Sequence, residues 1–253
     1  MIRESKDELI NILGNQDPAK RRYAAYMLVM CHFHEYDKVG ELFKSQDINI
    51  RKGATKAVQF LSWQGKRDIS ILIPFLNGLV NDDDGEIRES IAVSLRDAAV
   101  HKFDISSNIN ALAKVLKDNN YIIRSHVAQA IGLAISNGLS QECTLPIPEL
   151  INLLSDQDDE VRASSIAALA HAAKKEIDIS ASIPNLMENL VNGGYGVRAV
   201  ACNALLFFIN KKTENAKMIL DKINKYDTDK NVLEIKKVID ECESVLGENT
   251  SHV

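Results

Sequence analysis

The chain repeats one short pattern at a nearly constant distance, and this repetition constrains its fold more than any other feature. The segments "DISILIPFL", "DISSNINAL" and "DISASIPNL" begin at positions 68, 104 and 178, and the related "ECTLPIPEL" begins at position 142. The successive steps are therefore 36, 38 and 36 residues. A period of this size predicts an array of stacked structural units.

A second landmark keeps the same period. An arginine that follows a valine or isoleucine lies twenty residues after each start, and the series continues upstream. Two landmarks with one period indicate about seven units, of which the outer ones are atypical because no neighbour covers them. The arginines are Arg21, Arg51, Arg88, Arg124, Arg162 and Arg198.

Each unit is predicted to contain two helices. A hydroxyl residue stands where an N-cap accepts a hydrogen bond from the first helical turn. A proline follows in three units, near the first turn, where the missing N–H costs least. The predicted caps are Ser70, Ser106, Thr144 and Ser180, and the prolines are Pro74, Pro148 and Pro184.

The rest of each unit also reads as helical. Apolar residues at helical spacing follow the cap, as in "IPELINLL", and a polar turn such as "SDQDDE" ends the first helix. The second helix is rich in small residues, as in "VRASSIAALAHAA", which allows close helix packing. No segment shows the alternation of a strand bounded by hairpin turns. We therefore predict an all-α fold.

The units resemble those of the HEAT-repeat family, including its HEAT-like (PBS-lyase-type) members, over roughly residues 5 to 245. The resemblance implies a right-handed α-solenoid of about seven helical hairpins, with a ladder of turn Asp and helix Arg between neighbouring units. Asn120 and Gly194 replace the acid in two units, where we expect a broken ladder. The residues that carry the resemblance are Asp47, Ile50 and Arg51; Asp84, Ile87 and Arg88; and Asp158, Val161 and Arg162.

This arrangement predicts one HEAT-like repeat domain over residues 1–247. A helix C-cap is expected at Gly247, followed by a frayed tail at 248–253. The evenly spaced arginines also suit a phosphate-binding row, but their place beside turn acids favours an internal ladder. The predicted units are about 5–37, 38–66, 68–103, 104–141, 142–177, 178–213 and 214–247.

The resemblance further implies that the second helices line a concave face, the usual binding surface of such solenoids. Counting from the residue before each arginine places the core near +4, +7, +8 and +11, and the outward row near +2, +6, +9 and +13. The outward row is basic and aromatic in the N-terminal half, and Tyr, Trp and Arg are enriched at interface hot spots. The predicted partner-binding residues are Arg22, Tyr26, Lys52, Lys56, Gln59, Trp63, Arg96 and Gln129. Further outward positions are Glu89, Val93, Ser125, Ala163, Ala167, Lys174, Ala199, Asn203 and Phe207.

Composition and motifs argue against some of the functions that a helical repeat protein can have. A net charge of −5 and a pI near 5.7 give no global basic bias, so nucleic acid is not the expected partner. The segment "HFHEYD", His32 to Asp37, is the densest set of possible metal ligands. Its single His34–Glu35 pair is similar to those of iron-binding HEAT-like deoxyhypusine hydroxylases, but that family needs pairs from several units. We expect no metal, no cofactor and no catalytic residues.

The cysteines and the apolar runs lead us to expect a cytoplasmic protein. The four cysteines form no CxxC pair, and the N-terminus lacks the apolar core of a signal peptide. The longest apolar run is too short for a membrane span.

We therefore expect a monomeric, non-enzymatic scaffold or adaptor that binds another protein, one with an acidic patch, on the concave face. A solvated helix face is the plainer interpretation of the basic row. The alternatives are an accessory or regulatory subunit of an enzyme, bilin-lyase-like or similar, and a HEAT-like DNA-binding protein or glycosylase.

Overall fold

The computed structural model describes residues 4–31, 40–65, 68–138, 143–209, 212–226, 229 and 232–250. Every regular element in these residues is helical. The predicted fold class, an all-α repeat solenoid, is confirmed. In the same part of the chain, no helix has the length and apolar character needed to span a membrane.

The chain divides into two compact units, residues 1–145 and 146–253. The prediction of one continuous domain over residues 1–247 stays a prediction. The first unit contains α1 Lys6–Leu13, α2 Pro18–Cys31, α3 Ile48–Gln64, α4 Ile73–Leu76, α5 Gly85–Val100, α6 Ile109–Val115 and α7 Tyr121–Asn137. The second contains α8 Ile147–Asn152, α9 Asp159–Lys174, α10 Ile183–Asn192, α11 Tyr195–Ile209, α12 Thr213–Ile223 and α13 Leu233–Thr250. Because α13 continues to Thr250, the prediction of a C-cap at Gly247 is wrong.

The long second helices form one packed layer in each unit. In the first unit α2, α3, α5 and α7 contact one another in this order, and in the second unit α9, α11 and α13 do the same. The predicted core register is confirmed in α5, where Ile91, Leu95 and Ala98 are fully buried. Neither helix of a hairpin could bury its apolar side alone, so stacking supplies the core.

Side-chain carboxylates, and in one repeat a side-chain amide, cap the N-termini of second helices. The side chain of Asp84 accepts from the N–H groups of Glu86 and Ile87, and Asp158 accepts from the equivalent groups of α9. Asn120 accepts from the N–H of Ile122, so the amide at this position preserves the cap. These side chains satisfy N–H groups that have no partner inside the helix.

The predicted hydroxyl caps of the first helices are wrong. In three repeats the aspartate of "DIS" accepts the hydrogen bond, from the N–H of the serine two residues later, at 2.9, 2.9 and 2.8 Å. Thr144 likewise does not cap α8, which begins after Pro146 without a side-chain cap. In this turn the carboxylate of the aspartate accepts from the backbone N–H of the serine two residues later. The serine is the donor of this hydrogen bond, so its hydroxyl does not act as the cap. The aspartates are Asp68, Asp104 and Asp178, and the serines that do not cap are Ser70, Ser106 and Ser180.

The remaining parts of the repeated pattern have the expected places. The prolines lie at the first or second helical position of α4, α8 and α10. The isoleucine of "DIS" is buried in each copy, at Ile69, Ile105 and Ile179. The repeated tripeptide therefore combines a turn-capping carboxylate with a core residue.

The arginine series forms a ladder, but its acids differ from those predicted. Arg51 Nε lies 3.1 Å from Oδ2 of Asp82, and Arg88 Nε lies 2.6 Å from Oδ2 of Asp118. Both acids stand six residues before the next arginine, whereas Asp47, the predicted ladder residue before Arg51, is an N-cap. The prediction that Asn120 breaks the ladder is wrong because Asp118 supplies the carboxylate.

Each arginine also forms a hydrogen bond to the backbone of the turn that precedes its helix. Its Nη1 donates to the backbone carbonyl five or six residues earlier, as from Arg88 to Asp82 at 2.8 Å and from Arg162 to Asp156 at 2.7 Å. The same bond joins Arg198 to Gly193 at 3.0 Å, so it persists where glycine replaces the turn acid. This accounts for the regular spacing of the arginines without a ligand.

Candidate functional site

Five of the eight predicted partner-binding residues line one groove in the first unit. The groove has a volume of about 450 Å³ and lies along α2, α3 and α5. Phe60, Val93 and Asp97 complete its lining. The predicted residues in the lining are Arg22, Lys56, Gln59, Trp63 and Arg96.

Trp63 is the most exposed aromatic side chain of this groove, with 69% of its surface accessible. It lies in the last turn of α3, whose C-cap residue Gly65 has a left-handed φ of 58°. The ring nitrogen Nε2 of His101 donates to the Trp63 carbonyl at 3.3 Å. A Cβ atom at position 65 would lie 2.3 Å from the His101 ring, so glycine permits both the turn and this contact.

The aromatic part of the groove extends to Tyr26. Tyr26 is 44% exposed and packs edge-to-face against Phe60, with ring centroids 6.0 Å apart. Tyr26 is therefore adjacent to the lining and supports it through Phe60.

Lys56 is a half-buried cation of the groove whose described hydrogen bond goes to a neutral group. Its Nζ donates to the neutral Oε1 of Gln59 at 2.9 Å. Burial lowers the pKa of the Lys56 ammonium from its usual range, and the positive charge of Arg22 acts in the same direction. Glu86 and Glu89 partly oppose this shift of the Lys56 pKa.

Arg96 is already paired inside the protein. Its Nε and Nη2 donate to Oδ1 of Asp97 at 3.0 and 2.7 Å, and Nη1 lies 2.9 Å from Nδ1 of His126. Because Asp97 is buried, this pair anchors the guanidinium at the floor of the groove.

Lys52 lies apart from the groove although it is on the same helix as Lys56. Its Nζ lies 2.8 Å from Oδ2 of Asp84 and 3.2 Å from Oε2 of Glu86, at the start of α5. The hydrogen bond to Asp84 raises the pKa of Lys52. Lys52 therefore joins two repeats through an ion pair.

Gln129 is also outside the groove lining. It lies on α7, where its Nε2 donates to Oγ of Ser125 at 3.2 Å. Two further positions predicted to face outward are buried: Val93 is 9% exposed and Ser125 is fully buried. Counting residues along the helix predicts which side of the helix a residue lies on. It does not predict how closely the neighbouring helices cover that side.

Sequence reasoning missed Phe60 and Asp97. Both stand one residue after a predicted outward position, Gln59 and Arg96, and a wider outward stripe would have included them. No pattern in the sequence indicates that Asp97 pairs with Arg96, because adjacent residues do not ordinarily face each other on a helix.

In the second unit most of the predicted outward row consists of small side chains. Ala163, Ala167 and Ala199 are half-buried, and Asn203 is exposed. Two larger side chains of this row lie together, because the Lys174 Nζ lies 5.8 Å from the centre of the exposed Phe207 ring.

Within the described residues no group of three or more His, Cys, Asp or Glu side chains could hold a metal ion. The cluster from His32 to Asp37 lies outside these residues.

Comparisons with known proteins place the chain among helical repeat proteins. Residues 100–232 match the family model Cnd1, described as non-SMC mitotic condensation complex subunit 1. No curated protein is similar enough to the chain to count as a match.

Solved structures with this fold include designed repeat proteins. An engineered protein is 18% identical with a TM-score of 0.70, over 96% of this chain and 68% of that one. A second engineered protein is 19% identical with a TM-score of 0.62, over 87% of this chain and 98% of that one. A designed armadillo repeat protein in complex with the peptide (KR)4 is 17% identical with a TM-score of 0.61, over 81% of this chain and all of that one. At these identities the likeness shows the fold alone.

Proposed function

The chain belongs to the HEAT-like repeat family whose model is described as Cnd1, non-SMC mitotic condensation complex subunit 1, and on this premise we propose that it is a non-enzymatic scaffold or adaptor. Its fold is of the kind used in protein–protein interaction. The proposed partner is another protein, which binds the monomer in the groove around Trp63. The family description names a subunit of a larger complex, which supports a role in an assembly.

The observation that carries this proposal is the exposed Trp63 at the mouth of a groove that also contains cations. In the described part of the first unit, 69% of the surface of this indole stays accessible to solvent. Trp and Arg are the side chains that dominate interface energies when a partner covers them. The groove therefore has the composition of an interface.

The arrangement of charges favours a protein over DNA. A duplex needs several cations along its backbone, and the evenly spaced arginines would be the natural row. Arg51 and Arg88 are paired with Asp82 and Asp118, and so contribute little free positive charge.

We place the protein in the cytoplasm. The described cysteines are free thiols, and Cys202 and Cys242 are buried, which suits a reducing compartment. Burial raises the pKa of Cys202 and, together with neighbouring glutamates, raises that of Cys242 to about 12, so neither is an activated nucleophile.

Replacing Trp63 tests the proposal. We expect wild-type protein to capture a partner protein from its native cell, and Trp63→Ala to lose it, with binding weakened by at least about tenfold. The matched control is Tyr195→Ala, since Tyr195 is 73% exposed and lies outside the groove. The readout is mass spectrometry of the captured proteins, with and without nuclease.

Two results would contradict the proposal. Equal capture by wild type and Trp63→Ala would show that the groove is not the binding site. Capture that disappears with nuclease would assign the surface to nucleic acid.

A further inference from the structure

Only some of the cations predicted to bind a partner are available to a ligand. Lys52 is held by Asp84 and Glu86, and Arg96 by Asp97 and His126. Arg22 is exposed and lines the groove, and the hydrogen bond described for Lys56 goes to a neutral amide. The available positive charge is thus concentrated at Arg22 and Lys56, on the neighbouring helices α2 and α3.

These two cations have no described ion-pair partner among the residues that line the groove. The positive charge of Arg22 acts on the Lys56 ammonium, so the two groups lie close enough to repel each other. Glu86 and Glu89 act on Lys56 in the opposite sense, but neither lines the groove. A carboxylate between Arg22 and Lys56 would relieve the repulsion and replace water at a half-buried ammonium.

The apolar part of the groove lies beside this pair. Phe60, Val93 and the indole of Trp63 line the same cavity of about 450 Å³. That volume holds a few side chains. A ligand that satisfies both parts needs an acidic group and an apolar side chain close together.

We infer that the groove binds a short acidic protein segment, with one carboxylate between Arg22 and Lys56 and an adjacent apolar side chain on Trp63. The inference rests on the proposed function and specifies the chemistry of its partner. Two neighbouring cations suit a peptide carboxylate, whereas a nucleic-acid backbone would need a longer row.

The chain contains a direct reporter of this binding, because Trp63 is its single tryptophan. An apolar side chain that covers the indole removes it from water and shifts its emission to the blue. The probes are a peptide of glutamates around one leucine, the same peptide with lysines in place of glutamates, and duplex DNA.

We expect the acidic peptide to shift the Trp63 emission saturably and the basic peptide to leave it unchanged. Arg22→Gln and Lys56→Gln should each weaken the acidic peptide by about tenfold, since each removes one partner of the bound carboxylate. The matched control is Lys20→Gln, which removes an exposed charge from the same helix as Arg22 but outside the groove, and should bind as wild type. Because Arg22 is exposed, its replacement tests the inference even if the Lys56 variant unfolds.

Several outcomes would overturn the inference. They are absence of binding by the acidic peptide, equal binding by the basic peptide, insensitivity to both variants, and tighter binding of duplex DNA. If the captured partner is lost with Trp63→Ala but retained by Arg22→Gln and Lys56→Gln, the acidic-segment inference fails while the proposed function stands.

Discussion

At the scale of single residues, two kinds of cation occur in the helical layer of the first unit. Arg51, Arg88 and Lys52 join consecutive repeats through pairs with carboxylates. Arg22 and Lys56 face the groove instead. Charge alone does not distinguish the two kinds, and only their contacts separate cations that pair between repeats from cations that line the groove.

The ladder predicts a large effect of one turn acid. Asp118→Ala removes a carboxylate with 6% of its side chain exposed and leaves the Arg88 guanidinium without its ion-pair partner. We expect a loss of about 2 kcal/mol in the free energy of unfolding, measured by urea denaturation. The control is Asp83→Ala, at an exposed acid in another turn of the same unit, with an expected change within about 0.5 kcal/mol. Equal effects of both substitutions would show that the ladder does not stabilise the fold.

At the scale of the helix, a carboxylate caps the turn that begins the first helix in the three repeats with "DIS". The Asp178 side chain accepts from the N–H of Ser180 at 2.8 Å, and the short helical turn begins at this serine. The hydrogen bonds from the backbone and side chain of Ser180 lower the pKa of Asp178. The cap is therefore strongest when Asp178 is ionised.

Two substitutions separate the carboxylate from the hydroxyl. Asp178→Ala should lower the free energy of unfolding by about 1 kcal/mol at neutral pH, whereas Ser180→Ala should change it little because the backbone N–H remains. The contribution of Asp178 should be present above its unfolded-state pKa and disappear as pH falls through its lower folded-state pKa. Thermal melts of both variants at neutral and acid pH would check this. A larger loss from Ser180→Ala would restore the hydroxyl as the cap.

At the scale of the whole molecule, stability follows the order of the stacked helices. In the first unit α5 packs between α3 and α7, and in the second α11 packs between α9 and α13. Ten residues of α5 are buried, whereas α1 buries Leu9 and Leu13. Contacts of this kind make an inner helix more stable than one at the end of the array.

Hydrogen exchange should reveal this gradient. We expect the backbone amides of α5 to exchange most slowly in the first unit and those of α1 to exchange much faster, as followed by mass spectrometry. Exchange at the same rate in α1 and α5 would indicate that the unit opens in one cooperative step.

The sequence by itself determined the repeat, the two-helix unit and the core. The signals are a period near 36 residues, prolines at helix starts and apolar residues at helical spacing. They act through local geometry, which can be recognised in short segments of the sequence. The burial of Ile91 and Leu95 and the grouping of five predicted residues in one groove followed from this register.

Tertiary structure alone decided the partner of each charged side chain. Lys52 and Lys56 are one helical turn apart and equivalent by pattern, yet Lys52 meets Asp84 and Glu86, about thirty residues away. Which lysine meets those acids depends on the rotation of α3 against α5, and helical spacing contains no information about that rotation. The same rotation leaves Lys56 in the lining of the groove, together with Arg22.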